Sequence, residues 1–244
     1  LIPFFTHFLS TEEFGVIETL RSASFVLRVI VILGLDAAVS RLYYDYSDEE
    51  LRKDFLSSVF VFLTLFAIFT SLLLIVLFYL NSSVYQSIPI GEYGIPVVLA
   101  TGLGSPYYFL LAFYRATQRS RSYVTLELSW WGSNAVCSYV FVALFQLGSL
   151  GKLWGDVCAN GLLCIVSIAI IGSQIKIKPI KSQFITSALK FGLPLVPHLL
   201  MNWIVNLSDR FVVQYFHGWA KAGVYSLGYN IGYIVQLIAI AVNI

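Results

Sequence analysis

Residues 55–80 carry no charged side chain, and no other feature narrows the possible folds as far. At ~1.5 Å per residue this run is long enough to cross a ~30 Å hydrocarbon core with some tilt. In lipid the segment must satisfy its own backbone polar groups, so it is expected to be a helix. Its character extends to the whole chain, which is 58% hydrophobic and only 11% charged. Soluble domains carry about 25% charged residues, so a soluble fold is set aside. Apolar stretches at 14–39, 94–114, 123–147, 153–175, 191–216 and 222–244 bring the expected spans to seven, and residues 1–9 read as the tail of another. Because the chain opens at Leu1 and closes at Ile244, both inside apolar runs, it is expected to be a fragment of a longer protein. LIPFFTHFLS has neither the basic start nor the cleavage site of a signal peptide. Gly102-Leu-Gly-Ser-Pro106 predicts a kink within its span, since proline removes a helix hydrogen bond.

Lysines and arginines orient the bundle. Alternate loops on one side hold Arg41, Arg52, Lys53, Arg115, Arg119, Arg121, Lys176, Lys178, Lys181 and Lys190, whereas the other side holds Lys152 and Lys221. By the positive-inside rule, loops 41–54, 115–122 and 173–190 are expected to be cytoplasmic. Residues 173–190 read either as an amphipathic surface segment, with lysines near anionic lipid head groups, or as a plain basic loop. A weak internal repeat appears at an offset of 208 residues, where Phe8, Gly15 and Val16 match Phe216, Gly223 and Val224. It fits a parallel repeat with a second lobe opening near Phe191. The expected fold class is an all-α integral membrane protein, a polytopic helical bundle. Residues 1–172 form a first lobe of about six helices, 173–190 a cytoplasmic connector, and 191–244 the first two helices of a second lobe.

Charge inside a span costs on the order of 2.5–3.5 kcal/mol per residue and needs a reason. On a continuous helix over 14–39, at ~100° per residue, Glu18 and Asp36 coincide in angle and Arg21 and Arg28 fall within about 80° of them. Such a stripe faces either a water-filled cavity or an internal ion-pair network that includes Glu18 and Arg21. Guanidinium groups suit phosphate and carboxylate oxygens, so Arg21, Arg28 and Arg210 are candidate substrate-binding residues for a pyrophosphate-bearing cargo. Asp209 and Arg210 are adjacent on an expected helix and should point about 100° apart, too divergent to pair well. Glu18, Asp36, Asp209 and Glu127 are candidate ion-coupling or structural charges. Glu127 is expected to be interfacial, near Arg119 and Arg121, and Asp156 to complement a helix dipole. Cys137, Cys158 and Cys164 read as apolar fillers, and nothing calls for a metal or other cofactor. Asn81-Ser-Ser83 and Asn206-Leu-Ser208 match the glycosylation sequon, the second inside a span. No phosphate loop, nucleophile elbow or metalloprotease motif is present, and a catalytic extramembrane domain is missing.

The stretch LKFGLPLVPHLLMNWIVNLSDRFVVQYFHGWAKAGVYSLGYNIG, with LSTEEFGVIETL and RLYYDYSDEELRKDFLSS before it, resembles polysaccharide biosynthesis proteins of the O-antigen flippase type. These belong to the multidrug/oligosaccharidyl-lipid/polysaccharide exporter superfamily. The resemblance runs from Leu1 to Ile244. It implies two lobes around a central cavity, and Asp209-Arg210 at the family's recurring Asp-Arg pair. It implies a non-enzymatic activity, translocation of an undecaprenyl-pyrophosphate-linked repeat unit across the bacterial inner membrane by alternating access. Expected partners are that anionic lipid-linked oligosaccharide, membrane lipids, and the polysaccharide polymerase and chain-length machinery, with no role for nucleic acid. A cation-coupled multidrug extruder of the same superfamily is the first alternative, and a membrane-embedded polysaccharide polymerase or ligase the second. Cavity arginines speak against a cationic cargo. The longest external loop, 81–93, has only Glu92 as a charged residue, which speaks against the enzymes.

Overall fold

A computed structural model describes residues 2–80, 90–175 and 177–242. The Asn81 sequon, most of the 81–93 loop and Lys176 lie outside the described residues. Within them the chain is helical: α1 (Ile2–Phe8), α2 (Thr11–Ile32), α3 (Leu35–Leu42), α4 (Glu49–Leu80), α5 (Ile90–Leu103), α6 (Ser105–Ala116), α7 (Ser120–Tyr139), α8 (Gly148–Gln174), α9 (Ser182–Gly192), α10 (Leu195–Leu207) and α11 (Asp209–Val242). Four stretches are long and apolar enough to cross a membrane, Glu49–Leu80, Glu92–Ala116, Gly148–Gln174 and Ser182–Tyr233, and the bent pair Thr11–Ile32 and Leu35–Asp45 makes a fifth. Large apolar side chains on α4 (Leu65, Phe69, Leu72, Val76) point outward and are half or more exposed, as a lipid-facing surface requires. The protein is a membrane-embedded, multi-pass helical bundle.

Seven spans were expected and at most five are found among the described residues: 191–216 and 222–244 fall in the one stretch Ser182–Tyr233, and α7 does not qualify. Ser, Trp and Asn make it the least apolar of the long helices, and it ends in a π-helical turn at Val140–Leu144. Two groups of contacts mark opposite ends of the bundle. At the basic end, Arg119 donates to Gln174, Tyr44 to the Ala116 carbonyl, and Lys178 to Glu50. At the opposite end, Ser149 N–H donates to Glu13 at 3.3 Å and Tyr93 meets Ser149 at 3.2 Å. The basic segments therefore gather at one end, as the alternation of loops anticipated.

Two expectations about helix continuity are corrected. Residues 14–39 do not form one helix: Leu33 (φ 54°) and Gly34 (φ 70°) are both left-handed, and α3 leaves α2 at 51°. The cause is a close approach, since a Cβ on Gly34 would lie 2.6 Å from the Gly192 carbonyl oxygen. The turn between α2 and α3 thus packs directly on the α9–α10 junction. Residues 191–216 are also divided, with Ser208 between α10 and α11, and α11 is itself interrupted at Gly218 (φ 80°, ψ 175°). The break expected at 102–106 is present at Gly104, where Pro106 opens α6.

Residues 177–181, ahead of α9, are strapped to the first half of α4. Ser57 Oγ accepts the Lys178 N–H at 2.7 Å, Ser58 Oγ accepts the Lys181 N–H at 3.1 Å, and the buried Asp54 takes both ammonium groups, Lys178 at 2.6 Å. Phe184 of α9 then packs on Phe55 and Tyr46. Hydrogen bonds that Lys178 donates to Asp54, and secondarily to Glu50, hold its ammonium well above the usual lysine range. A base with a raised value contributes stability that is complete below its unfolded value and is lost progressively as pH rises from there through the raised one. The strap therefore keeps its lysine charge through neutral and moderately alkaline pH. Asp54→Ala is expected to speed tryptic cleavage after Lys181 severalfold, read by limited proteolysis of detergent-solubilised protein; Lys178 is followed by Pro179 and is not a tryptic site. Unchanged cleavage would show that the serine contacts alone hold the segment.

Candidate functional site

The start of α2 is fixed by a capping box. Glu13 N–H donates to Ser10 Oγ at 3.2 Å and Ser10 N–H donates back to Glu13 at 2.9 Å. From there α2 runs to the turn at Leu33–Gly34. Beside that turn α2, α3, α6 and α7 enclose a cavity of about 260 Å³, with Leu199 of α10 at its edge. Its charged lining is Arg28, Asp36, Arg115 and Glu127, and Phe25, Tyr108 and Tyr123 supply aromatic walls. The Arg28 guanidinium donates to Tyr108 Oη at 3.4 Å and lies over the Phe25 and Tyr108 rings at 4.8 and 5.1 Å. That of Arg115 lies over the Tyr123 ring at 5.8 Å, and Tyr123 Oη donates to Glu127 at 3.4 Å. Neither arginine forms an ion pair among the described residues.

Of the residues the sequence singled out, Arg28, Asp36 and Glu127 meet here and the others do not. Asp36 arrives through the break after α2, so its shared wheel angle with Glu18 has no structural counterpart. Glu127, expected at the interface beside Arg119 and Arg121, instead faces the cavity. Arg115 and the two tyrosines were missed. Arg115 was assigned to a basic loop because it lies one residue past an apolar run, and that run's end at α6 was its only signal. Glu18 and Arg21 form the expected i,i+3 pair at 3.4 Å, with Glu18 buried and Arg21 69% exposed. Asp156 is also reassigned, since it accepts from Lys152 and Asn134 in a polar cluster between α7 and α8.

Asp209 and Arg210 do pair, contrary to the helical-wheel expectation. Ser208 breaks the helix, and Asp209 opens α11 with its carboxylate turned onto Arg210 at 3.1 Å. Arg210 is 2% exposed, donates to the Asn206 carbonyl at 3.1 Å and lies 4.5 Å from the centre of the Tyr229 ring. Tyr225 donates to the other oxygen of Asp209. Among the described residues Arg210 makes no ion pair with Glu18. Nearby, Trp203 Nε1 donates to the Ser22 carbonyl and hydroxyl at 2.9 Å, and Ser22 Oγ donates to the Leu207 carbonyl at 2.9 Å, which staples α10 to α2.

No group of histidine, cysteine and carboxylate side chains able to hold a metal occurs among the described residues. A multi-pass helical membrane protein with a mixed-charge cavity between its spans is the class these features define. The family model for polysaccharide biosynthesis proteins matches residues 1–243, and the chain belongs to that family. Comparison with curated proteins and with solved structures gives no match.

Proposed function

We propose that the chain is part of a flippase, a non-enzymatic carrier that moves an undecaprenyl-pyrophosphate-linked oligosaccharide repeat unit across the bacterial inner membrane by alternating access. The observation that carries this reading is the pair of arginines, Arg28 and Arg115, left without carboxylate partners in a cavity between membrane helices. Arg28 is half-buried and Arg115 exposed, so both guanidinium groups are open to an incoming ligand, and a guanidinium fork fits phosphate oxygens well. The polysaccharide biosynthesis family supplies a cargo of that chemistry. With the basic end cytoplasmic by the positive-inside rule, the cavity lies near the face where lipid-linked units are made. Arg210, buried against Asp209, is read as a structural group in this conformation, and Arg21 as an outlying contact for the cargo.

A strain lacking the gene is expected to accumulate lipid-linked repeat units on the cytoplasmic leaflet, and Arg28→Ala is expected to restore less than a tenth of transport. Full transport by Arg28→Ala would make a substrate role for this residue untenable. One observation favours a second reading: Asp36 and Glu127 line the same cavity, and carboxylates are what a multidrug extruder would present to an organic cation. Resistance to cationic dyes lost on deletion, without lipid-linked intermediates accumulating, would select that reading instead.

A further inference from the structure

The cavity that holds the two arginines also holds two carboxylates, and their arrangement says more about the cargo than its charge. Among the described residues, Arg28, Arg115, Asp36 and Glu127 form no ion pair with one another or with any other group. Glu127 accepts from the Tyr123 and Tyr107 hydroxyls, and the Asp36 carboxylate accepts no hydrogen bond among the described residues. Arg28, Asp36 and Glu127 are half-buried and Arg115 is exposed, so water or a ligand can reach each of these charges. A bare anion would satisfy the arginines and be repelled by the acids. A phosphate bonded to a polyhydroxylated ring satisfies both, because guanidinium groups donate to phosphate oxygens while carboxylates accept from hydroxyl groups. The rings of Phe25, Tyr108 and Tyr123 add flat apolar walls against which the C–H face of a pyranose can lie. Size limits the occupant further. About 260 Å³ falls below the ~300–1,000 Å³ of pockets for drug-sized ligands, too small for a repeat unit of several sugars.

We infer that this cavity is a subsite for a single sugar 1-phosphate group, with the phosphate on Arg28 and Arg115 and ring hydroxyls on Asp36 and Glu127. The inference rests on the anionic-cargo reading above and adds to it a selectivity: the sugar bonded directly to phosphate is read by the protein. Sugars farther along the chain extend out of the cavity, so their identity matters less.

The test is calorimetric titration of the purified protein in detergent with inorganic phosphate and the 1-phosphates of glucose, galactose and N-acetylglucosamine. At least one sugar phosphate is expected to bind tenfold or more tightly than inorganic phosphate. Asp36→Asn and Glu127→Gln are expected each to weaken that sugar phosphate about tenfold, the effect of losing a hydrogen bond to a charged group, and to leave inorganic phosphate bound as before or better. If every sugar phosphate binds like inorganic phosphate, and Arg28→Ala abolishes them all, the sugar subsite is overturned while the anionic cargo stands. If no phosphate binds, or Arg28→Ala changes nothing, the anionic-cargo reading falls with it. The wild-type comparison needs no variant, so a misfolded substitution would not spare the proposal.

Discussion

Replacing Gly15 by valine is expected to abolish transport and to lower the melting temperature in detergent, because α2 and α11 touch backbone to backbone there. A Cβ on Gly15 would lie 2.0 Å from the Trp219 carbonyl oxygen and 2.9 Å from the Gly223 nitrogen. A Cβ on Gly223 would lie 2.0 Å from the Thr11 carbonyl oxygen and 3.0 Å from the Gly15 nitrogen. Those obstacles are main chain, which cannot rotate aside, so the helices must separate. Membrane helices gain nothing from burying apolar surface away from lipid, and their association relies on close packing. Overpacking typically costs about 1–3 kcal/mol, with more where backbone must move. The two sets of contacts are reciprocal: Thr11 and Gly15 meet Trp219 and Gly223, the same pairs that the 208-residue offset aligns. An isologous contact of this kind arises when two copies of a unit are related by a two-fold axis. It supports the proposal that a second lobe opens near residue 191 and that this crossing closes the end of the bundle opposite the basic loops. Even Gly15→Ala should be severe, and adding Gly223→Ala should cost little more, since the close approach is already lost. Gly15→Ala with wild-type melting and transport would refute the role of the crossing.

Sequence alone was most informative where physical chemistry acts on single segments. The uncharged run at 55–80, the alternation of basic loops and the Gly-Pro cluster at 102–106 each reflect a local cost, of charge in lipid or of a missing N–H. The cavity was half legible. Arg28 was conspicuous because a mid-span cation demands a partner, but its neighbours depend on the left-handed turn at Leu33–Gly34. Nothing in residues 14–39 marks that turn except Gly34, and its cause lies at Gly192, far along the chain. A wheel drawn through an undetected break set Asp36 on one stripe with Glu18, whereas the break carries Asp36 to the lining of the cavity beside Arg28. Conversely, Arg115 looked like an ordinary loop cation, because a positive-inside count records which end a charge occupies and not which way it faces. The weak repeat pointed to Gly15 and Gly223 as equivalents, yet only tertiary packing brings these two positions together.

Asp209→Ala should be the most destabilising single change at the second charged constellation, more so than removal of either tyrosine beside it. Arg210 is 2% exposed, and its charge is met by Asp209 at 3.1 Å, the Asn206 carbonyl at 3.1 Å and the face of Tyr229. Truncating Asp209 leaves a buried guanidinium with one carbonyl and an aromatic ring, and orphaning one partner of a buried pair typically costs about 3–5 kcal/mol. The Tyr225 hydroxyl, which donates to the same carboxylate, loses its acceptor as well. Asp209→Asn keeps an acceptor oxygen for Tyr225 and should lose less, and Tyr225→Phe should lose least. Asp209→Ala combined with Arg210→Leu should recover much of the loss, since the uncompensated charge leaves with its partner. The double-mutant cycle, read as melting temperature in detergent, measures this directly. A cycle in which the two single losses simply add would mean that the pair is not coupled and that Arg210 is held by its carbonyl and ring contacts alone. Transport then separates structure from function: a double variant that is stable and still moves cargo confirms the pair as a fastener between α10 and the second half of α11. A stable double variant without transport would return Arg210 to the cargo pathway, in a conformation where its pairing with Asp209 has opened.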